Sequence, residues 1–305
     1  MRTRDIQIRD PFVLPDDSSG RYYLFGTTDA DCWKGPGQGF DCYRSRDLLE
    51  WEGPFQAFRP PPGFWATMNF WAPEAHLFRG RYYLFASFCA PERYRGTQIL
   101  VSDRAEGPYV PQGDAPVTPA DWQCLDGTLH VDAAGLPWIV FCHEWVQVHN
   151  GSICAMRLSE DLAKAVSRPL HLFNASEAAW VKHPGWPEAT ARMRFPCYVT
   201  DGPFLHRSRE GRLFMLWSSI GHEGYAMGIA HSTSGAVEGP WVQEAKPIWG
   251  KDGGHGMVFR GFDGTLYMTL HTPNQTPHER ALFVPVEERE GSLRLVPGAA
   301  GGGGT

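Results

Sequence analysis

The sequence contains no run of apolar residues long enough to cross a membrane. The longest stretches, such as 213–217, are broken by polar or charged residues well before the roughly 20 residues that a transmembrane helix needs. An excess of basic residues is also missing, because 28 Lys and Arg are set against 34 Asp and Glu, for a formal net charge of -6. We therefore expect neither a nucleic-acid partner nor a membrane partner.

Cysteine is present, but its pattern does not predict a disulfide scaffold. The seven cysteines are odd in number and show no CxxC spacing, and Cys89, Cys142 and Cys154 lie in apolar runs, as buried thiols do. This pattern favours a reducing compartment. Near the first residue, Asp5 and Asp10 interrupt the segment before an apolar signal sequence forms. We expect a cytoplasmic protein, with a leader trimmed from this sequence as the alternative.

What the sequence does contain is an internal repeat. An apolar strand, a turn with glycine and a second apolar strand recur five times, which is the pattern of a β-hairpin. The five hairpins span residues 12–27, 74–87, 128–143, 203–218 and 257–271.

Further strands follow each hairpin. A third strand with small, alternating residues comes next in every repeat, and a Glu-Gly-Pro-aromatic segment at 52–55, 106–109 and 238–241 indicates a fourth. Four antiparallel strands repeated around an axis are typical of propeller blades. We predict an all-β fold, a five-bladed β-propeller over residues 1–298, followed by a flexible Gly-rich tail over 299–305. A β-sandwich with accidentally similar hairpins is the alternative.

Carboxylates open the first strand of several repeats. Aligning the hairpins on this position gives Asp10, Ala72, Asp126, Asp201 and His255. The first strand of a blade lines the central channel, so we expect these side chains to converge at one end of it. A single Asp-Pro or Asp-Gly pair would indicate only a turn. Three carboxylates in one cleft repel one another and raise each other's pKa, which indicates a functional site.

Other residues near these positions suit a sugar ligand. Tryptophan rings offer flat apolar faces, and charged or imidazole groups can hydrogen-bond hydroxyls. Trp71, directly before the aligned position of the second repeat, is the strongest candidate for stacking. The candidates are Trp33, Trp71, Trp145, His143, Glu144, His255 and Arg280.

These residues resemble the motifs of the family 43 glycoside hydrolases, and the resemblance covers essentially the whole chain. Asp10 in RDPFVLPD matches the family's first-blade Asp-Pro motif, and WAPE at 71–74 matches its second-blade motif. The third-blade acidic residue maps onto Asp126 in CLDGTLHVD. The fourth-blade motif, normally Glu-Gly-Pro, reads Asp-Gly-Pro at 201–203.

The resemblance implies an inverting mechanism with three roles. Asp10 would be the general base, Asp201 the general acid, and Asp126 the residue that raises the pKa of the acid and orients it. Asp is one methylene shorter than Glu, so this substitution places the acid carboxyl roughly 1.5 Å, one carbon-carbon bond, further back. A misplacement of about 1 Å can cost on the order of a hundredfold in rate. Glu188 and Glu144 are therefore alternative acids.

The resemblance also bears on cofactor and substrate. His255 in GGHG at 253–256 resembles the family's channel histidine, so it is a candidate ligand for calcium in the central channel, while no cofactor is required. The expected partners are oligosaccharides derived from plant or microbial polysaccharides. Long inserts near Trp33 and Trp180 could wall off the cleft, which favours an exo-acting α-L-arabinofuranosidase that releases terminal pentofuranosyl units.

Two kinds of alternative remain open from the sequence. A β-D-xylosidase or a galactofuranosidase would fit the same family. A non-catalytic carbohydrate-binding propeller is favoured by the departure at Asp201. It is disfavoured by the retention of Asp10 and Asp126, since a binding protein would not need such a costly cluster of charges.

Overall fold

The computed structural model describes residues 1–185, 196–289 and 291–298. Within them, twenty strands form five four-stranded antiparallel sheets, each built from four strands consecutive in the chain. This confirms the predicted five-bladed propeller. The Gly-rich tail predicted over 299–305 lies outside the described residues.

The strands of the first three blades follow the predicted repeats. Blade 1 contains β1 (Arg9–Asp16), β2 (Arg21–Thr27), β3 (Phe40–Ser45) and β4 (Trp51–Phe58). Blade 2 contains β5 (Met68–Phe78), β6 (Arg81–Ala90), β7 (Arg93–Ser102) and β8 (Val110–Pro111). Blade 3 contains β9 (Cys124–Val131), β10 (Pro137–His143), β11 (Ser152–Arg157) and β12 (Leu170–Asn174).

The last two blades complete the circle. Blade 4 contains β13 (Asp201–Arg207), β14 (Leu213–Gly221), β15 (Gly224–Ser232) and β16 (Trp241–Gln243). Blade 5 contains β17 (Val258–Arg260), β18 (Leu266–Thr272), β19 (Arg280–Arg289) and β20 (Ser292–Leu295). The described helical segments are short: α1 (Trp145–Val148) and two 3-10 turns, Thr3–Asp5 and Ala175–Glu177.

The core lies between the blades, where the faces of neighbouring sheets pack together. Large apolar side chains such as Phe25, Phe85, Phe141 and Trp217 are fully buried there. All seven cysteines are free thiols, and Cys89 is the one that is not buried. In the part of the chain that the structure describes, no helix has the length and apolarity needed to cross a membrane.

The first strands of blades 1 to 4 each contain a β-bulge at the channel end. A bulge bends the strand and redirects a side chain. One residue per blade has left-handed backbone there, which only glycine adopts without strain. We call these five residues the channel row: Asp10 (φ 53°), Ala72 (φ 46°), Asp126 (φ 55°), Gly202 (φ 50°) and His255 (φ 49°).

A closed circle of hydrogen bonds joins the blades at this level. The backbone N–H of every channel-row residue donates to a side chain of the preceding blade. The five bonds are Ala72 to Thr27 Oγ1 (2.9 Å), Asp126 to Ser87 Oγ (2.8 Å), Gly202 to Asp126 Oδ2 (3.0 Å), His255 to Ser218 Oγ (2.8 Å) and Asp10 to His271 Nδ1 (3.1 Å).

Blade 3 departs from this pattern in an informative way. In the other blades the acceptor lies on the second strand, opposite the residue that precedes the channel row. The corresponding position in blade 3 is Cys142, and a thiol is a weak acceptor. The carboxylate of Asp126 accepts the bond from Gly202 instead. Asp126 therefore both lies in the site and joins blade 3 to blade 4.

Candidate active site

A pocket of about 320 Å³ lies over the channel row. Pockets of this size, with a few convergent polar groups, are typical of small-molecule sites. Most of the residues that the sequence predicted for the site line it. They are Asp10, Trp33, Trp71, Asp126, Glu144, Trp145, Asp201 and His255.

Arg280, predicted as a sugar ligand, does not line this pocket. Its guanidinium donates to the backbone carbonyls of Arg4, Pro277 and Glu279, at the edge where the first residues of the chain meet blade 5. Glu279, the preceding residue, is fully buried instead. Neither side chain lines the pocket, although Glu279 forms an ion pair with the pocket residue Arg9.

His143 also lies away from the pocket lining. Its ring stacks on Trp122 with the centroids 4.0 Å apart, and its Nε2 lies 2.9 Å from Oε1 of Gln147. Trp180, which was expected near a wall of the cleft, is buried in the core against Trp217. Glu188, an alternative acid from the sequence, lies outside the described residues.

The strand register corrects the repeat alignment in blade 4 by one residue. Asp201 pairs with Ser218 as Arg9 pairs with Thr27, so Gly202 is the counterpart of Asp10. Asp201 therefore belongs to a second row, one residue earlier in each blade. We call it the pocket row: Arg9, Trp71, Leu125, Asp201 and Gly254.

The two rows separate the carboxylates by position. Asp10 and Asp126 belong to the channel row, whereas Asp201 occupies the same place in its blade as Trp71 does in blade 2. All four pocket-row residues that carry a side chain line the pocket. The sequence did hold a signal for this offset, because Gly202-Pro203 matches Asp10-Pro11 when the prolines are aligned.

Asp10 is surrounded by donors and positive charge. Its Oδ2 accepts a hydrogen bond from Thr27 Oγ1 at 2.7 Å, and its Oδ1 lies 3.2 Å from His255 Nδ1. Burial alone would raise the pKa of the Asp10 carboxyl, but the charges of His255 and Arg9 outweigh burial and hold it below the ordinary value. Asp10 is therefore ionised at neutral pH.

His271 holds the backbone of Asp10. Its Nδ1 accepts the N–H of Asp10, and its Nε2 lies 3.1 Å from the side-chain oxygen of Asn274, so the hydrogen-bond pattern assigns a neutral ring protonated at Nε2. Burial and the charge of Arg9 lower the pKa of His271 to about 3. The ring therefore stays neutral at neutral pH and fixes Asp10 by geometry.

Asp201 has the opposite surroundings. Burial and the negative charge of Asp126 raise the pKa of Asp201 to about 7. The hydroxyl of Tyr225 donates to Oδ2 of Asp201 at 3.0 Å, which offsets part of this rise. Burial and the charge of Asp10 also raise the pKa of Asp126 well above its ordinary value. This side of the pocket therefore retains a proton at a pH where Asp10 has none.

Gly202 is required by the close approach of His255. A side-chain carbon on Gly202 would lie 2.5 Å from the imidazole ring, and the residue also has left-handed backbone. His255 fills the centre of the channel row, where its Nδ1 lies 3.2 Å from Asp10 and 3.7 Å from Asp126. The ring thus lies between the two buried carboxylates.

Glu144 is paired with a positive charge beside the pocket. It precedes α1 and forms a buried ion pair with Arg95 of β7. Burial raises the pKa of Glu144, while Arg95 opposes this rise. The guanidinium of Arg95 also lies 4.2 Å from the ring centroid of Trp71 and donates to the side-chain oxygen of Asn69 at 3.1 Å. This network fixes Trp71 in the pocket wall.

Calcium prefers six to eight oxygen ligands. Among residues 1–185, 196–289 and 291–298, no three His, Cys, Asp or Glu side chains are grouped to hold a metal ion. His255 would be a single ligand, and its Nδ1 already faces Asp10 and Asp126. These residues alone do not fit a calcium site, so the predicted ion stays a prediction through which we derive no step.

Several pocket residues were not singled out from the sequence, among them Arg9, Arg95 and Tyr225. Arg9 lines the pocket and forms a 2.6 Å ion pair with Glu279, while Arg95 and Tyr225 contact Trp71 and Asp201. Arg9 had a signal, since it directly precedes Asp10. Arg95 and Tyr225 lie on third strands, which no channel motif marks.

A propeller with buried carboxylates of opposite proton preference around one end of its channel has the architecture of a glycoside hydrolase. Residues 5–291 match the family model described as Glycosyl hydrolases family 43. The chain therefore belongs to glycosyl hydrolase family 43.

Known proteins resemble this chain in sequence or in structure. The structure of an endo-arabinase from Bacteroides thetaiotaomicron superposes with a TM-score of 0.88 at 39% identity, covering 96% of this chain and 98% of that one. The extracellular exo-α-(1→5)-L-arabinofuranosidase ArbA of Cellvibrio japonicus is 21% identical over 88% of this chain and 79% of its own length. An α-L-arabinofuranosidase from Lactobacillus brevis has the same fold, with a TM-score of 0.71 at 19% identity over 94% of each chain.

Proposed function

We propose that this hydrolase is an inverting, exo-acting α-L-arabinofuranosidase that releases terminal units from arabinan-derived oligosaccharides. The observation that carries the exo mode is a wall on one side of the pocket. Trp33, in the loop between β2 and β3, donates from Nε1 to Thr276 Oγ1 of blade 5 at 2.9 Å. The hydrogen bond joins loops of blades 1 and 5 beside the catalytic residues.

Neighbouring side chains hold this wall in place. The guanidinium of Arg9 lies 4.8 Å from the ring centroid of Trp33, and the Trp71 ring meets Trp33 edge-on at 5.3 Å. Thr276 also donates to Glu279, the partner of Arg9. A pocket walled on one side accommodates the end of a sugar chain.

The two proton states supply the chemistry. In the proposed reaction, ionised Asp10 takes a proton from a water molecule while the oxygen of that water attacks the anomeric carbon. Asp201 gives its proton to the departing glycosidic oxygen as the carbon-oxygen bond breaks. Inversion needs the two carboxyls about 6.5 to 9.5 Å apart, to leave room for the water. Their placement on non-adjacent blades and in different rows supports this assignment.

Asp126 has a supporting role in the proposal. Its charge helps raise the pKa of Asp201, and its Oδ2 accepts the N–H of Gly202, the residue that follows the acid. Tyr225 holds the carboxyl itself. These two contacts position the shorter Asp side chain where the family motif has Glu. Glu144 is a poorer candidate for the acid because its carboxylate already forms an ion pair with Arg95.

The choice of arabinose rests on the similar proteins. The 39% identical structure is named an endo-arabinase, and the similar curated sequence is named an exo-arabinofuranosidase. Internal cleavage of arabinan is the second candidate, favoured by the first of these names. The two modes differ in the first products that they release.

The test uses a short time course on a linear arabinan and on reduced arabino-oligosaccharides. We expect arabinose as the first product, and proton NMR should show it initially as the β anomer, inverted from the α-linked substrate. Early release of longer fragments would favour internal cleavage, and early α anomer would contradict the role of Asp10. Nitrophenyl glycosides of arabinofuranose, xylose and galactofuranose test the sugar separately.

A further inference from the structure

A second cavity adjoins the catalytic pocket. It has a volume of about 780 Å³ and lies between the β6–β7 turn and the loop that leads into β9. Cys89 and Gln123 line both cavities. The two spaces are therefore adjacent at these two residues.

Aromatic side chains line the second cavity. Tyr94 is 50% exposed although it is a large aromatic residue, and Trp65 is partly buried. The indole of Trp65 is fixed by a hydrogen bond from Nε1 to Gln98 Oε1, and the guanidinium of Arg93 lies 5.8 Å from its ring centroid. Exposed aromatic rings in a concave surface indicate a binding site.

Gln123 offers a hydrogen-bond donor at the junction. Its Oε1 accepts the N–H of Arg95 at 2.9 Å, and its backbone donates to Gln147 and accepts from Glu144. These bonds fix its position. Among the described residues, its side-chain Nε2 has no hydrogen-bond partner, which leaves this donor for a ligand hydroxyl.

We propose that this second cavity binds the sugar units that remain attached to the bond being cleaved. Tyr94 and Trp65 would contact the apolar faces of these units, and Gln123 would donate to a hydroxyl between the two cavities. Because Cys89 and Gln123 line both cavities, we take the occupant to be the same neutral chain that enters the pocket. The proposal rests on the proposed function and adds the path that the rest of the substrate follows.

The test compares chain-length dependence in wild type and Tyr94→Ala. The substrates are arabino-oligosaccharides of increasing length and a nitrophenyl arabinofuranoside, which carries no further sugar unit beyond the bond being cleaved. In the wild type, kcat/KM should rise with length. Tyr94→Ala should lose on the order of tenfold of kcat/KM on the longest substrate relative to the nitrophenyl glycoside, as truncating an aromatic contact residue does.

Phe262→Ala is the matched control, because Phe262 is also an exposed aromatic residue but lies at the β17–β18 turn of blade 5. It should leave the ratio between long and short substrates unchanged. An equal ratio in wild type and Tyr94→Ala would overturn the proposal. Thermal unfolding of both variants identifies any loss of fold.

The same experiment separates this proposal from the proposed function. Wild-type activity on the nitrophenyl arabinofuranoside tests the sugar independently of the cavity. If the protein hydrolyses the nitrophenyl xyloside and not the nitrophenyl arabinofuranoside, the length series is repeated with xylo-oligosaccharides. Loss of length dependence in Tyr94→Ala would then still support the second cavity.

Discussion

Aspartate carboxyls on the two sides of the pocket have pKa values shifted in opposite directions. On the side of blades 1 and 5, Asp10 lies among Arg9, His255 and Thr27, and its pKa is below the ordinary value. On the side of blades 3 and 4, Asp201 lies beside Asp126 and its pKa rises to about 7. Desolvation raises the pKa of both carboxyls, so it cannot by itself explain the difference.

The comparison shows that neighbouring charge decides the proton state. Desolvation disfavours both anions, and only Asp10 has enough positive charge and donors to reverse it. A site that must keep one carboxyl ionised and another protonated at one pH needs such an asymmetry. The propeller provides it because each side of the pocket is built by different blades.

The largest expected effect comes from replacing Asp10, the ionised carboxylate. Asp10→Asn removes the group proposed to activate water, and we expect kcat/KM to fall by about 10² to 10⁴ for every substrate. Activated aryl glycosides and oligosaccharides should suffer alike, because both need the attacking water. Asp17→Asn, at the exposed turn after β1, is the control. Full activity of Asp10→Asn would remove it from the mechanism.

The effect of removing the proposed acid, Asp201, should depend on the leaving group. Asp201→Asn should lower oligosaccharide hydrolysis by about 10² to 10⁴ but spare much of the activity on a dinitrophenyl glycoside, which departs without a proton. Asp126→Asn should show the same dependence on the leaving group as Asp201→Asn, with a smaller loss of activity. Intact oligosaccharide turnover in Asp201→Asn would place the acid elsewhere, with Glu188 and Glu144 as the next positions to test.

Stability should change in opposite directions at the two positions. The folded-state pKa of Asp201 is raised, so its ionisation destabilises the fold as pH rises through about 7. Asp201→Asn should therefore stabilise the protein at pH 8 by a few kcal/mol, since one pKa unit corresponds to about 1.4 kcal/mol. The gain should disappear near pH 4. Denaturant unfolding at both pH values measures it.

Asp10 provides the opposite case for the same measurement. Its folded-state pKa is lowered, so its ionised form stabilises the fold above the unfolded-state pKa. Asp10→Asn should therefore destabilise the protein at pH 8, and this loss should shrink as the pH falls into the acid range. Stabilisation at pH 8 by both substitutions would contradict the difference between the two sides.

The smallest expected effects are shifts of the pH profile. Activity that requires protonated Asp201 should fall as pH rises through about 7. Tyr225→Phe removes a hydrogen bond that lowers the pKa of Asp201, so this decline should move to higher pH. Asp126→Asn removes a negative charge that raises it, so the decline should move to lower pH. Shifts in the same direction would contradict these contacts.

Repetition made much of the fold predictable. Five similar hairpins required five similar environments, and the dipeptides at Asp10 and Asp126 marked where strands enter the channel. The four-stranded blade also followed from the Glu-Gly-Pro segments, which lie in β4 or lead into β8 and β16. These features are local in sequence, and the structure repeats them around the axis.

Features that depend on contacts between elements were harder to predict. The contacts of Arg95 with Glu144 and of Tyr225 with Asp201 join residues that no local pattern links. Arg280 lies outside the pocket lining because its guanidinium donates to backbone carbonyls, contacts that no local pattern shows. The one-residue offset of Asp201 was missed because blades 3 and 4 both contain Asp-Gly. In blade 3 the Asp is the channel-row residue Asp126, whereas in blade 4 the Asp lies one residue earlier, in the pocket row.

The most direct test of the account is a titration of the two carboxyls. Carbon NMR of the protein labelled with ¹³C at aspartate carboxyls, assigned with Asp10→Asn and Asp201→Asn, reports each proton state separately. We predict that the Asp201 signal titrates near pH 7, while the Asp10 signal shows an ionised carboxylate throughout the neutral range. An ionised Asp201 together with a protonated Asp10 at pH 6 would contradict the central claim.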